Sequence, residues 1–222
     1  MSEPGTVVFD IIGTSFSLEK PRQQLLKIGA PHYVLELWFA QALRDAFAFS
    51  HAGKYQPLKE ILQAELPRTL KLLEIESDTE QCAQIMATFT QLELQSGAKE
   101  AFDTLSNAGY KIIALTNGSE DATRTLLEKS GVKKYFAEVY SCDAISLTKP
   151  HPNVYKMIQT DSLKNTWLVA AHAWDIAGAI GVGMKTAFVR QLEKDYLKVY
   201  PQPQIIVKNL LDAACQITSF SN

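Results

Sequence analysis

Apolar positions along the chain follow two different periods. Short runs rich in β-branched and aromatic residues occur at 6–9, 111–115, 138–141, 166–171, 186–189 and 205–207, each of a length suited to a strand buried within a sheet. Between them, apolar residues recur at helical spacing at about 97–109, 121–130, 152–160, 174–182 and 209–217. Strands that alternate with helices predict an open parallel α/β sheet with crossover helices. The interval 17–95 breaks the alternation, because it reads as helical throughout with no strand. Within it Leu35, Trp38, Phe39, Ala42, Ala46 and Phe49 fall on one stripe of a single helix. Pro57 and Pro67 are expected to separate later helices. This predicts an α/β core of residues 1–16 and 96–222 and a helical cap of residues 17–95. The cap lies over the carboxyl ends of the strands, where open α/β sheets bind ligands.

Composition narrows the function classes. The 222 residues are 46% hydrophobic and 21% charged, a globular balance. With Lys+Arg 22 against Asp+Glu 24, there is no basic excess to neutralise phosphates, so neither nucleic acid nor an anionic membrane is an expected partner. A small-molecule substrate is. Cys82, Cys142 and Cys215 lack metal-site spacing and are odd in number, which fits a reducing compartment. No apolar run approaches the roughly 20 residues of a membrane span. Glu3, Pro4 and Asp10 stand where a secretion signal needs a basic start and an apolar stretch. A cytoplasmic location is expected.

Polar residues mark the ends of the predicted strands: Asp10 with Thr14, Thr116 with Asn117, Lys149, and Asp175. Parallel strands bring these to one edge. A carboxylate nucleophile needs a nearby cation to stay ionised in a dry pocket, donors to hold an anionic substrate, and a second carboxylate to activate water against the resulting ester. The set supplies a candidate for each role.

The segments Phe9-Asp10-Ile11-Ile12-Gly13-Thr14, Leu115-Thr116-Asn117-Gly118-Ser119, Lys149-Pro150-His151-Pro152-Asn153-Val154-Tyr155 and Ala173-Trp174-Asp175-Ile176-Ala177-Gly178-Ala179 resemble the four motifs of the haloacid dehalogenase superfamily, and within it the L-2-haloacid dehalogenase branch. The resemblance implies a Rossmann-like core with a helical cap and a hydrolytic reaction that needs no metal. It would make Asp10 the nucleophile that forms an ester with C2 of a 2-haloacid, Lys149 its charge partner, and Asp175 the group that orients water. Thr14, Thr116 and Asn117 would bind substrate, with Tyr155 on the pocket wall and Trp174 as core or contact. It also leans toward a homodimer.

Four positions depart from the pattern of this branch. Ile12 stands where the branch carries Tyr, Phe39 follows Trp38 where it carries Arg, and Ala170 and His172 replace Ser and Asn. These changes make the expected pocket less polar on the side where a halide departs. His172 reads either as a base or donor beside the ester-hydrolysing water or as a structural histidine. Two alternatives stay open. A magnesium-dependent phosphatase would need an acid two residues after the nucleophile, where Ile12 has no proton to give, and more carboxylates than Asp10 and Asp175. A binding or regulatory homologue would keep the fold and lose turnover.

Overall fold

The computed structural model describes residues 5–220, so Glu3 and Pro4, which bear on the expected lack of a secretion signal, lie outside the described residues. The chain opens with β1 (Thr6–Asp10), then β2 (Phe16–Ser17), α1 (Glu19–Lys27), α2 (Val34–His51), α3 (Leu58–Leu72), α4 (Thr79–Ala87) and β3 (Glu93–Leu94). It continues through α5 (Ala98–Asn107), β4 (Lys111–Thr116), α6 (Glu120–Lys129), β5 (Phe136–Ser141), α7 (Pro152–Lys156) and β6 (Thr166–Ala170). It closes with α8 (Ala173–Gly181), β7 (Lys185–Val189), β8 (Ile205–Val207) and α9 (Leu210–Ser219). Among the described residues six strands form one parallel sheet in the order β5-β4-β1-β6-β7-β8, which is the predicted α/β class.

Strand β1 is central and buried along its whole length. Its side chains alternate between the two faces. Val7 and Phe9 pack with Phe102 and Leu105 of α5 and Ala213 and Ile217 of α9. Val8 faces the other layer, with Val154 and Tyr155 of α7 and Ile176 and Ala179 of α8. The chain moves from β1 to β4 and β5 on one side, then crosses back to β6 on the other. The reversal at β1 opens a crevice at the strand ends.

Helices α1 to α4 form the predicted cap, inserted between β1 and β4. The interval 17–95 is not free of strand, because Phe16 pairs with Leu94 and Ser17 with Glu93 in a short antiparallel ribbon. Two residues per strand are too few to leave a period in the sequence. Pro67 does not separate helices either; it lies inside α3, while Pro57 caps that helix. Proline there removes the bond to the Gln63 carbonyl. Both residues are exposed, so water can take that carbonyl, while Leu66 and Leu70 stay fully buried. The α2 stripe packs as expected through Leu35, Trp38, Phe39, Ala42 and Ala46. Trp38 Nε1–H also donates to the Leu62 carbonyl of α3 at 3.0 Å. Phe49 differs, being 42% exposed, because the end of α2 projects into solvent with residues 51–54. The predicted helix over 152–160 stops at Lys156, and Gln159 instead donates its N–H to the Tyr140 hydroxyl. Among the described residues no helix is long and apolar enough to cross a membrane.

Candidate active site

Strand register determines which side chains meet at the sheet edge. Asp10, the last residue of β1, is in register with Leu115 of β4, and Phe9 with Val169 of β6. Thr116 and Ala170 therefore flank it as the final residues of their strands. The chain turns sharply after β1 through Gly13, whose φ of 83° is a conformation that side-chain-bearing residues rarely adopt. That turn folds Thr14 back over the strand end. Thr14 Oγ1 donates to Asp10 Oδ2 at 2.5 Å and accepts the Ala171 N–H at 2.9 Å.

Lys149 Nζ donates to Asp10 Oδ1 and to Asp175 Oδ2, both at 2.8 Å. The lysine is fully buried. Burial opposes its charge, but the charges of Asp10 and Asp175 outweigh that and hold it above its ordinary value. Asp175 lies in the first turn of α8 and is fully buried. Burial pushes its carboxyl above the usual carboxylate range; Lys149 pulls the other way, and Asp10 adds to the rise. Its second oxygen accepts the Tyr155 hydroxyl at 2.7 Å. The resemblance implies Tyr155 on the pocket wall; the structure instead buries it fully, with its hydroxyl on Asp175. Burial, with the Asp175 charge, raises its phenol well above the ordinary value, so it stays a donor. Gly178 permits this arrangement. A Cβ there would stand 2.4 Å from Tyr155 Oη and 2.7 Å from Pro150 Cβ, so α8 approaches both only because that position has no side chain.

Thr116 and Asn117 serve the local backbone. Thr116 Oγ1 accepts the Gly118 N–H at 2.9 Å. Asn117 Oδ1 accepts the Lys149 N–H at 3.0 Å and the Cys142 thiol at 3.1 Å, so it aims the lysine. Burial pushes that thiol up to about 12, which keeps it protonated as a donor. Ile12 is an apolar residue beside Gly118.

A cleft of about 600 Å³ lies between the cap and the core residues His172, Trp174, Leu192 and Glu193. Leu18, Leu35, Phe39, Leu43, Phe47, Trp174 and Leu192 give it mostly apolar walls. His172 borders it, stacked between Trp174 and Phe39. Sequence reasoning missed Leu192 and Glu193, which close the cleft from the loop after β7. The one available signal was an acid shortly past the end of a strand, the same rule that singled out Asp10.

The two carboxylates share one ammonium, and their remaining oxygens accept from Thr14 and Tyr155. Among the described residues no group of three His, Cys, Asp or Glu side chains gathers. A divalent cation wants several free oxygen ligands in octahedral array. These donors do not fit one.

The haloacid dehalogenase-like hydrolase family matches residues 43–189. An (S)-2-haloacid dehalogenase of Xanthobacter autotrophicus is 26% identical over 86% of this chain and 77% of its own length. A haloacetate dehalogenase H-2 of Moraxella sp. (strain B) is 22% identical over 86% of this chain and 88% of its own. Among solved structures, an L-2-haloacid dehalogenase of Xanthobacter autotrophicus superposes with a TM-score of 0.85 at 21% identity, covering 96% of this chain and 98% of the other. Another L-2-haloacid dehalogenase reaches 0.90 at 19% identity, over 97% and 99%. These structures share the fold. The family match spans most of the chain, from the second half of α2 through the lysine loop and the Asp175 turn to the end of β7, and the protein therefore belongs to the haloacid dehalogenase-like hydrolases.

Proposed function

We propose that the protein hydrolyses small 2-substituted carboxylic acids, with 2-haloacids as the reference class, through an ester on Asp10. One observation carries this reading: Asp10 is a carboxylate with one oxygen on Lys149 and the other on Thr14, its loop adjoining His172 at the border of a largely apolar cleft and with no acid at Ile12. An Asp10 oxygen gives its lone pair to C2 as the C2–halogen bond breaks, and the halide leaves with that bonding pair. Water then attacks Cγ of the ester. Asp175 takes one proton of the water, the Cγ–O ester bond of the tetrahedral centre breaks, the oxygen that had attacked C2 leaves with the product and takes up a proton to give the 2-hydroxy acid, and Asp10 is restored as a carboxylate that now contains the water oxygen. The net change is haloacid plus water to hydroxy acid, halide and a proton. Thr116 and Asn117 are assigned to the substrate carboxylate, Phe39, Trp174 and Ile12 to its apolar remainder. Lys149 keeps Asp10 ionised and anchors Asp175 as the base. His172 borders the leaving group.

The charge balance is met by lysine, so no cofactor is assigned. Halide release from 2-bromopropionate should persist in EDTA, and Asp10→Asn should lower it by at least about a hundredfold, because an amide is nearly isosteric but cannot attack. Activity that is lost in EDTA, restored by magnesium and directed at a phosphate ester would reverse the assignment.

A further inference from the structure

His172 carries a partner that the Asp10 chemistry does not use. Its Nδ1 lies 3.7 Å from Glu193 Oε1. The other oxygen of Glu193 accepts the Ala173 N–H at 3.1 Å, so the carboxylate is fixed at the start of α8. The imidazole stacks on Trp174 with ring centroids 5.0 Å apart at 21°, and on Phe39 at 6.5 Å and 18°. Its far edge faces the turn between Asp10 and Thr14: a Cβ at Gly13 would stand 3.2 Å from Nε2. One edge of the ring thus meets a carboxylate and the opposite edge meets the nucleophile's loop.

We propose that His172 is carried as an imidazolium positioned by Glu193 and donates its Nε2–H to the anion that leaves as Asp10 attacks. This rests on the Asp10 reading above and adds the group that receives the leaving charge. A ring with one proton held on Nδ1 toward a carboxylate offers only a lone pair at Nε2; a second proton makes that edge a donor. Stacking on the Trp174 face favours the cation. The charged groups facing the ring are Glu193 from the loop after β7, Asp10 from β1 and Asp175 from α8. Across the cleft, Arg22 is bound to Glu36 and Arg44 to Asp45. Burial by itself lowers the imidazole, but Glu193 together with Asp10 and Asp175 raises it above its ordinary value. The halide takes a hydrogen bond and no proton, so the imidazolium emerges unchanged. Phe39 contributes a stacking face where an arginine would have supplied a permanent cation. The donor here can be titrated away.

The test combines histidine-imidazole NMR with leaving-group kinetics, His172→Asn identifying the His172 signals. In the native protein His172 should titrate above about 6.5. Glu193→Gln should lower that by about one unit or more, move the alkaline limb of kcat down in step, and slow chloride release from 2-chloropropionate more than bromide release from 2-bromopropionate. Glu193→Asp should restore part of each change. An unaltered His172 titration, or chloride and bromide release falling equally with no movement of the alkaline limb, would overturn the proposal. Mass spectrometry of Asp175→Asn protein, in which the ester cannot be hydrolysed, separates the two levels: a missing ester on Asp10 would overturn the underlying reaction and the donor role with it, whereas an ester together with an insensitive alkaline limb in the native protein would overturn only the role of His172 and Glu193.

Discussion

At the sheet edge, Asp10, Thr14, Lys149, Asp175 and Tyr155 bind one another at 2.5–2.8 Å, all buried. The nearby cleft between cap and core is walled mainly by apolar residues such as Phe39, Leu43, Phe47 and Trp174, with His172, Glu193 and the ion-paired Arg22 and Arg44 also lining it. The lower region is polar and internally satisfied, so each member holds its neighbours in position and removing one leaves another unpaired. The upper region is held by packing, and its residues can change with little effect on their neighbours' hydrogen bonds. Of the four departures from the dehalogenase pattern, Phe39 and His172 line the cleft, Ile12 stands beside Gly118, and Ala170 ends the strand next to Asp10; the polar cluster of Asp10, Thr14, Lys149, Asp175 and Tyr155 contains none of them. Under the proposed reaction, activation of Asp10 and accommodation of the leaving group are therefore expected to be separable by substitution.

The largest expected effect breaks the lower region. Lys149→Met removes the shared cation and leaves two buried carboxylates, which should cost about 3–5 kcal/mol of stability. Without the ammonium that pulls it down, the buried Asp175 carboxyl, already raised by burial, titrates at still higher pH than in the unfolded chain. Such groups favour the fold at low pH and lose that contribution as pH rises through their folded values. Urea unfolding should therefore show a deficit that grows between about pH 5 and about pH 8. A deficit that shrinks over that range would mean the lysine does not neutralise this pair.

A smaller effect follows from Gly178→Ala. The new Cβ meets Tyr155 Oη and Pro150 Cβ, contacts too short to keep, so Tyr155 must withdraw from Asp175. Overpacking of this kind costs about 1–3 kcal/mol. Because the proposed reaction uses Asp175 only after the ester forms, a burst of halide release followed by a slowed steady state should appear in rapid-quench kinetics.

The smallest effect tests the upper region. An electrostatic donor aimed at developing charge is worth about 10²–10³ in rate, but Phe39→Arg also places a guanidinium beside His172 and removes a stacking face. A gain of about tenfold in chloride release from 2-chloropropionate is expected, the rest being offset by desolvation of the new charge and its repulsion of the imidazolium. Equal gains for chloride and bromide would show that the substitution acts on something other than the leaving group.

Much of this architecture was legible in the sequence because it rests on period and position. Strand β8 runs over the 205–207 predicted for it, and the strand-end rule located Asp10, Thr116 and Asp175 before any register was known. Other features left no such trace. The ribbon of β2 and β3 is too short to show a period, and Pro67 stays helical because tertiary packing of Leu66 and Leu70 overrides a local penalty. Whether Tyr155 faced the cleft or Asp175 depended on how closely α8 approaches α7, which Gly178 sets. Glu193 follows a strand end as Asp10 does, but it shares its loop with Asp195 and Lys194, so that signal alone did not single it out, and its meaning appears only when β7 carries it beside His172.

The central claim is that Asp10 forms the covalent intermediate, and Asp175→Asn protein offers the most direct measurement, since an amide there cannot take the proton from water. Acid-quenched mass spectrometry after mixing with 2-bromopropionate should find one propionate ester per chain, mapped by proteolysis to the peptide containing Asp10, and absent when Asp10→Asn is added. An unmodified protein that still releases bromide, or an adduct on any other residue, would contradict the account.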